Sequence, residues 1–160
     1  MCYASAQGTA ILRELLNHEL VGLACIATLV HAARASRIAD PEDELRNRLE
    51  SERSTASECA LVLLATAQWH SGEFEGSLLT IDQMDSLDND DGTSTSAKAV
   101  NGWVLLSQAG IGSEAYEDDP AGDDDDEDLR DSAASIAEAQ RHFEGALIED
   151  PSNIDVRILP

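Results

Sequence analysis

Positive charge is what this sequence has least of. Ten Lys and Arg oppose 32 Asp and Glu in 160 residues, a formal net charge of −22. A surface of that sign repels phosphate backbones and anionic headgroups. It argues against direct nucleic-acid binding and against adhesion to acidic membranes. Its natural electrostatic partners are cations and basic protein segments. Cysteine is sparse too: Cys2, Cys25 and Cys59 are odd in number and widely spaced, without a C-x-x-C pair. That pattern argues against a disulfide framework and fits a reducing, cytoplasmic compartment. The opening "MCYASAQG" has no basic region followed by an apolar core, so it does not read as a secretory signal. The longest apolar stretch, "LVGLACIATLVHAA", is too short to span a bilayer and reads as a buried helix. No N-x-[ST] sequon occurs, and no alternating apolar and polar run makes a strand. Aromatic residues are only 4% of the chain, as suits helices packed through Ala and Leu.

What is present is helical spacing. Ile11, Leu12, Leu15 and Leu16 mark a first helix, and Leu23, Ile26, Ala27 and Val30 a second. Pro41 suits the first turn of a third, "PEDELRNRLESERS", whose Glu and Arg residues pair at helical spacing and which carries little core. A fourth runs from about Ala56 to His70 with Leu61, Leu64 and Ala65 on one face, and Gly72 stops it. Phe74, Leu78, Ile81 and Met84 then mark a fifth, closed by the polar turn "DNDDGTSTS". "SAKAVNGWVLLSQ", with Ala99, Val100, Trp103 and Leu106, is a sixth, ended by Gly110. Ile136, Ala139, Phe143, Ala146 and Leu147 line the last, with Pro151 just past its end.

Composition shifts sharply before that last helix. Residues 113–131 hold eleven acids and one Arg, too polar to bury an apolar face. The expectation is a disordered acidic insertion over 111–131. Deleting residues 113–129 is expected to leave helicity and melting temperature unchanged, as circular dichroism would show.

The helix–glycine–helix unit repeats. In the tetratricopeptide grammar, small residues sit where two helices approach closely, and a larger residue plugs each gap. With Gly72 as the turn, Leu61, Leu64 and Ala65 take first-helix positions, and Phe74, Ser77, Ile81 and Met84 second-helix positions. Gln68 departs, standing where an aromatic is usual. Ala139, Phe143, Ala146 and Pro151 fit a second such helix, whose partner ends at Gly110. The acidic stretch then lies inside a hairpin turn. The expected fold is all-α: tetratricopeptide-like hairpins forming part of an α-solenoid, as a single segment over residues 1–160.

The ordered set "WHSGEFEGSLLTIDQM", "AVNGWVLLSQAG" and "AEAQRHFEGALIEDPSNIDV" resembles the tetratricopeptide repeat protein 21 family. That family is the long helical-repeat subunit of intraflagellar transport complex A. The matching features are Trp69-His70-x-Gly72, Ile81-Asp82-x-Met84, the Trp103 helix, and Phe143-Glu144 with Leu147. They cover roughly residues 56–155. Family members are much longer, so the chain reads as a fragment near the family's N-terminal part. The resemblance implies a non-catalytic scaffold for retrograde ciliary transport and cilium assembly. The implied partners are the other complex A subunits and ciliary cargo, at the ciliary base and in the cilium or flagellum.

Other chemistry finds little footing. His18, His31, His70 and His142 do not pair with each other or with Cys at metal-ligand spacing. An EF-hand centred on Gly92 fails, because its first and twelfth positions are Leu87 and Lys98. Asp123 to Asp128 read as a solvated run rather than a calcium site. No P-loop or G-x-S-x-G occurs, and Gly110-Ile111-Gly112 follows no strand. No catalytic, cofactor or metal residues are assigned. The competing readings are a generic adaptor gripping a peptide outside the cilium, and a helical enzyme using His70. For the adaptor, the candidate first-helix faces carry Gln68 and Asn101, with Lys98 the only nearby base, which argues against a clamp on acidic tails, as does the overall charge.

Overall fold

Periodicity of three to four residues becomes helix throughout. The computed structural model describes residues 6–36, 42–87, 94–110 and 125–152. Among them are α1 (Ala6–Glu14), α2 (Gly22–Ser36), α3 (Glu42–Arg53), α4 (Glu58–His70), α5 (Phe74–Leu87), α6 (Thr95–Gln108) and α7 (Asp125–Glu149), and no strand. The fold is all-α. The chain divides into two compact units, Met1–Leu87 and Asp88–Pro160.

In the first unit, α2 packs on α1, α3 and α4, and α4 packs on α5. Side-chain caps define where helices begin. Ser57 accepts from the Ala60 N–H at the start of α4. Such a cap contributes about 1 kcal/mol. At the other end of α4 the Gly72 N–H donates to the Trp69 carbonyl, and the Glu73 N–H donates to the Gln68 carbonyl. This Schellman motif needs a left-handed residue, and Gly72 has φ 76°. Gly110 repeats φ 76° after α6.

The core of the first unit is aliphatic and small. Leu23, Ile26, Leu29 and Val30 of α2 are buried with Leu61, Leu64 and Ala65 of α4 and Ile81 and Met84 of α5. The α4–α5 contact is also polar: Gln68, Ser77 and Thr80 are all buried. The Ser77 hydroxyl donates to the Ala65 carbonyl at 2.9 Å, and the Thr80 hydroxyl donates to Gln68 Oε1 at 2.8 Å. So Gln68 joins the pair by a hydrogen bond across it. As expected, α3 has no buried residue. Arg53 ties its end to α5, donating from Nε to Gln83 Oε1 at 2.6 Å and from Nη2 to the Leu79 carbonyl at 2.7 Å.

Two expectations need correction. The spacing of Ile11, Leu12, Leu15 and Leu16 reads as one helix, yet α1 ends at Glu14 and Leu15 and Leu16 lie in the turn that follows. The Leu15 N–H is shared between the Ile11 and Leu12 carbonyls and the His18 N–H returns to the Leu15 carbonyl, so the last turn tightens and the helix stops. Second, α7 begins at Asp125, so residues 125–131 of the stretch expected to be disordered are helical, and deleting 113–129 would also remove the first five residues of α7 and lower helicity slightly. Propagation adds one backbone hydrogen bond per residue, which carries a helix beyond its packed face. Residues 111–124, the "DNDDGT" turn residues 88–93 and Pro41 lie outside the described residues.

The second unit is the hairpin of α6 and α7. Its centre is Ala99, Ala139, Phe143 and Ala146, with Trp103, Leu106 and Leu147 packed around them. The Phe143 and Trp103 rings meet edge to face, centroids 5.4 Å apart. Gly102 makes this possible: a Cβ there would lie 2.6 Å from Phe143 Cε1. Two opposing magnitudes decide the effect of Gly102→Ala. Helix propensity would gain about 1 kcal/mol. Overpacking against a ring held by Trp103 costs about 1–3 kcal/mol. The net expectation is destabilisation, and Phe143→Ala should cost about 3–5 kcal/mol. Urea denaturation of both single variants and the double variant checks this. The Gly102→Ala penalty should disappear once Phe143 is Ala, because the clashing ring is then gone.

Candidate functional site

Each residue singled out from the sequence now has a place. Trp69 and His70 end α4, with ring centroids 4.4 Å apart and an interplanar angle of 33°. Glu73 accepts from Arg34 Nη1 at 2.8 Å, joining the α4–α5 turn to the end of α2. His31 Nδ1 lies 3.9 Å from the same carboxylate. Glu75 sits in the first turn of α5, where a carboxylate suits the helix dipole. The patch around Gly72 is thus a turn tied by ion pairs.

The four histidines do not converge. His18 lies in the α1–α2 connection, His31 on α2, His70 on α4 and His142 on α7. Among the described residues no group of three or more His, Cys, Asp or Glu could hold a metal ion. Cys25 is buried on α2, and burial pushes its thiol above the usual range. Cys59 is exposed on α4. Asp125 to Asp128 open α7, while Asp123, Asp124 and Cys2 lie outside the described residues. No described helix is long and apolar enough to cross a membrane.

The structure places the three residues weighed for an adaptor groove. Gln68 is buried between α4 and α5 and bonded to Thr80, so it faces no open groove. Lys98 Nζ donates to Glu149 Oε1, bridging α6 and the end of α7. Asn101 is half-buried on α6.

Two features were not read from the sequence. One is an ion-pair junction. Arg34 donates from Nε to Glu42 at 2.9 Å and from Nη1 to Glu73, and Arg46 also donates to Glu42. It links α2, α3 and the α4–α5 turn. The Glu42–Arg46 spacing is visible in the sequence; the Arg34 contacts are long-range and are not.

The other is a groove of about 520 Å³ within the first unit. Leu16, Leu23 and Ala56 supply its apolar lining, and Glu19, Arg48 and Glu52 its charged lining. Arg48 is held on three sides. Its Nε donates to Glu52 at 2.6 Å, and its Nη2 donates to the Leu16 carbonyl at 3.0 Å and to Asn17 Oδ1 at 2.8 Å. His18 Nδ1 accepts from the Leu20 N–H at 3.3 Å. Glu19 has no hydrogen bond or ion pair among the described residues.

Comparison with known proteins gives no match to a family model, to a curated protein or to a solved structure.

The ion pairs have a pH signature. The Lys98 hydrogen bond holds the Glu149 carboxyl below its ordinary 4.5. The Arg34 hydrogen bond, helped by the charge of Arg46, does the same to Glu42. A depressed folded-state pKa means the stabilisation is full above the ordinary value and is lost as pH falls through the folded value. The melting-temperature difference between wild type and Glu149→Gln should therefore be present at pH 7 and vanish on acidification below the carboxylate range. Thermal melts of both proteins across that range check this, and using the difference cancels the chain's general charge repulsion.

Proposed function

We propose that this chain is a non-catalytic scaffold segment of the tetratricopeptide kind, part of an α-solenoid that acts through protein–protein contacts. The observation that carries this reading is one packing plan used twice. Ser77, Ile81 and Met84 are buried on α5 at the positions that Ala139, Phe143 and Ala146 hold, also buried, on α7. Both partner helices end on a glycine at φ 76°. Close approach at small residues and a glycine stop are what a stacking helical hairpin requires.

The resemblance of residues 56–155 to the tetratricepeptide-bearing transport subunit extends the proposal to a specific role. The chain would serve as a subunit of intraflagellar transport complex A, supporting retrograde transport and cilium assembly. Its partners would be the other complex A subunits and ciliary cargo, on the cytoplasmic side at the ciliary base and within the cilium. The clamp on acidic tails that a generic adaptor would use finds less support, since Lys98 is engaged by Glu149 and Gln68 is internal.

Proximity labelling from the tagged protein in ciliated cells tests the role. Recovery of complex A subunits with signal at the ciliary base is expected. A proteome dominated by chaperones or an unrelated assembly would overturn the ciliary role and favour the adaptor.

A further inference from the structure

The groove between the α1–α2 connection and the α3–α4 connection has an unbalanced chemistry. Its volume of about 520 Å³ lies in the ordinary range for ligand sites, roughly 300–1,000 Å³. Its arginine is already engaged by Glu52, Asn17 and the Leu16 carbonyl. Those bonds take up its Nε and Nη2, and Glu52 neutralises its charge. Glu19 is exposed and has no partner among the described residues, so the groove carries one uncompensated carboxylate. Beside it lie Leu16, Leu23 and Ala56, and the chain neighbours Leu15 and Leu20 are exposed. The net charge of −22 attracts a cationic partner from a distance.

We propose that this groove binds a basic segment of a partner protein. An Arg or Lys side chain pairs with Glu19, and an adjoining apolar side chain lies against Leu16, Leu23 and Ala56. The proposal rests on the scaffold reading in one respect: the ligand is a protein segment. Arg suits the site better than Lys, because its weakly hydrated planar head tolerates an apolar wall while bonding a carboxylate.

The test uses the full chain and an acetylated, amidated hexapeptide of alternating Arg and Leu, followed by amide chemical shifts. Shifts should centre on residues 16–20 and 48–57. Glu19→Lys should weaken binding about tenfold, since an attraction worth up to about fivefold becomes a repulsion. Ala56→Phe, which fills the groove without changing charge, should weaken it comparably. Glu144→Lys reverses an exposed charge on α7 and should weaken binding less than about threefold, through net charge alone. Should Ala56→Phe lose helicity, an Arg–Ser peptide replaces that comparison, and it should bind more weakly than the Arg–Leu peptide. Equal effects of Glu19→Lys and Glu144→Lys, or shifts centred on the acidic stretch 113–131, would overturn the proposal. The probe is synthetic, so failure here leaves the ciliary role standing, and failure of the labelling experiment leaves the groove standing.

Discussion

Close approach of paired helices is the constraint on which the rest depends. With aromatics at 4% of residues, the chain has few large side chains to bridge wide gaps. Its helices must instead come near enough for small residues to touch, because dispersion falls away quickly once a gap opens. Ala65 and Ser77 meet in this way between α4 and α5, near enough for the Ser77 hydroxyl to bond the Ala65 backbone. Gly102 does the same between α6 and α7, where no other residue would admit the Phe143 ring at its present distance. Glycine stops at Gly72 and Gly110 follow from the same demand, since a short turn must reverse the chain without forcing the helices apart.

A second constraint is charge. Arg34, Arg46, Arg48, Arg53 and Lys98 are engaged in contacts that link helices or brace one. These pairs are largely solvent-exposed and each contributes little alone. Their collective effect is positional. α3 has no buried residue, yet Glu42, Arg48 and Arg53 tie it to Arg34 of α2, to the α1–α2 connection and to α5. With 32 acids against ten cations, most carboxylates have no cation to pair with, and a net charge of that size opposes self-association.

The helices and much of the core were legible because helical burial leaves a regular trace. Leu61, Leu64, Ala65, Ile81, Met84 and Phe143 are buried where spacing placed them, and Gly72 turns the chain where it was expected to. The acid-rich α3 was legible as a solvated helix for the same reason. Gln68 was visible only as a departure from pattern, because a buried amide looks like a surface residue until Thr80 is seen across from it. Gly102 gave a faint signal, a glycine in mid-helix, but its reason lies 41 residues away in Phe143. Leu15 and Leu16 misled because apolar spacing continues past Glu14, where the backbone leaves the helix. The groove left no trace, since its walls come from segments that only the fold brings together.

The α4–α5 and α6–α7 hairpins differ in their interiors, and the difference bears on specificity. A chain of similar hairpins must avoid pairing the first helix of one with the second helix of another. If α4 met α7, Phe143 would face Leu64, which holds in α4 the place that Gly102 holds in α6, and the ring would overpack. Gln68 would also lose Thr80, and a buried amide without its partner costs about 1–3 kcal/mol. If α6 met α5, Ile81 would stand over Gly102 and leave part of the space that the Phe143 ring fills empty. Both exchanges are therefore penalised by the same residues that stabilise the correct pairs. Gln68, which departs from the usual aromatic, is then not a flaw in the packing. It marks one hairpin as polar inside, just as Gly102 and Phe143 mark the other as aromatic, and the two sets reject each other.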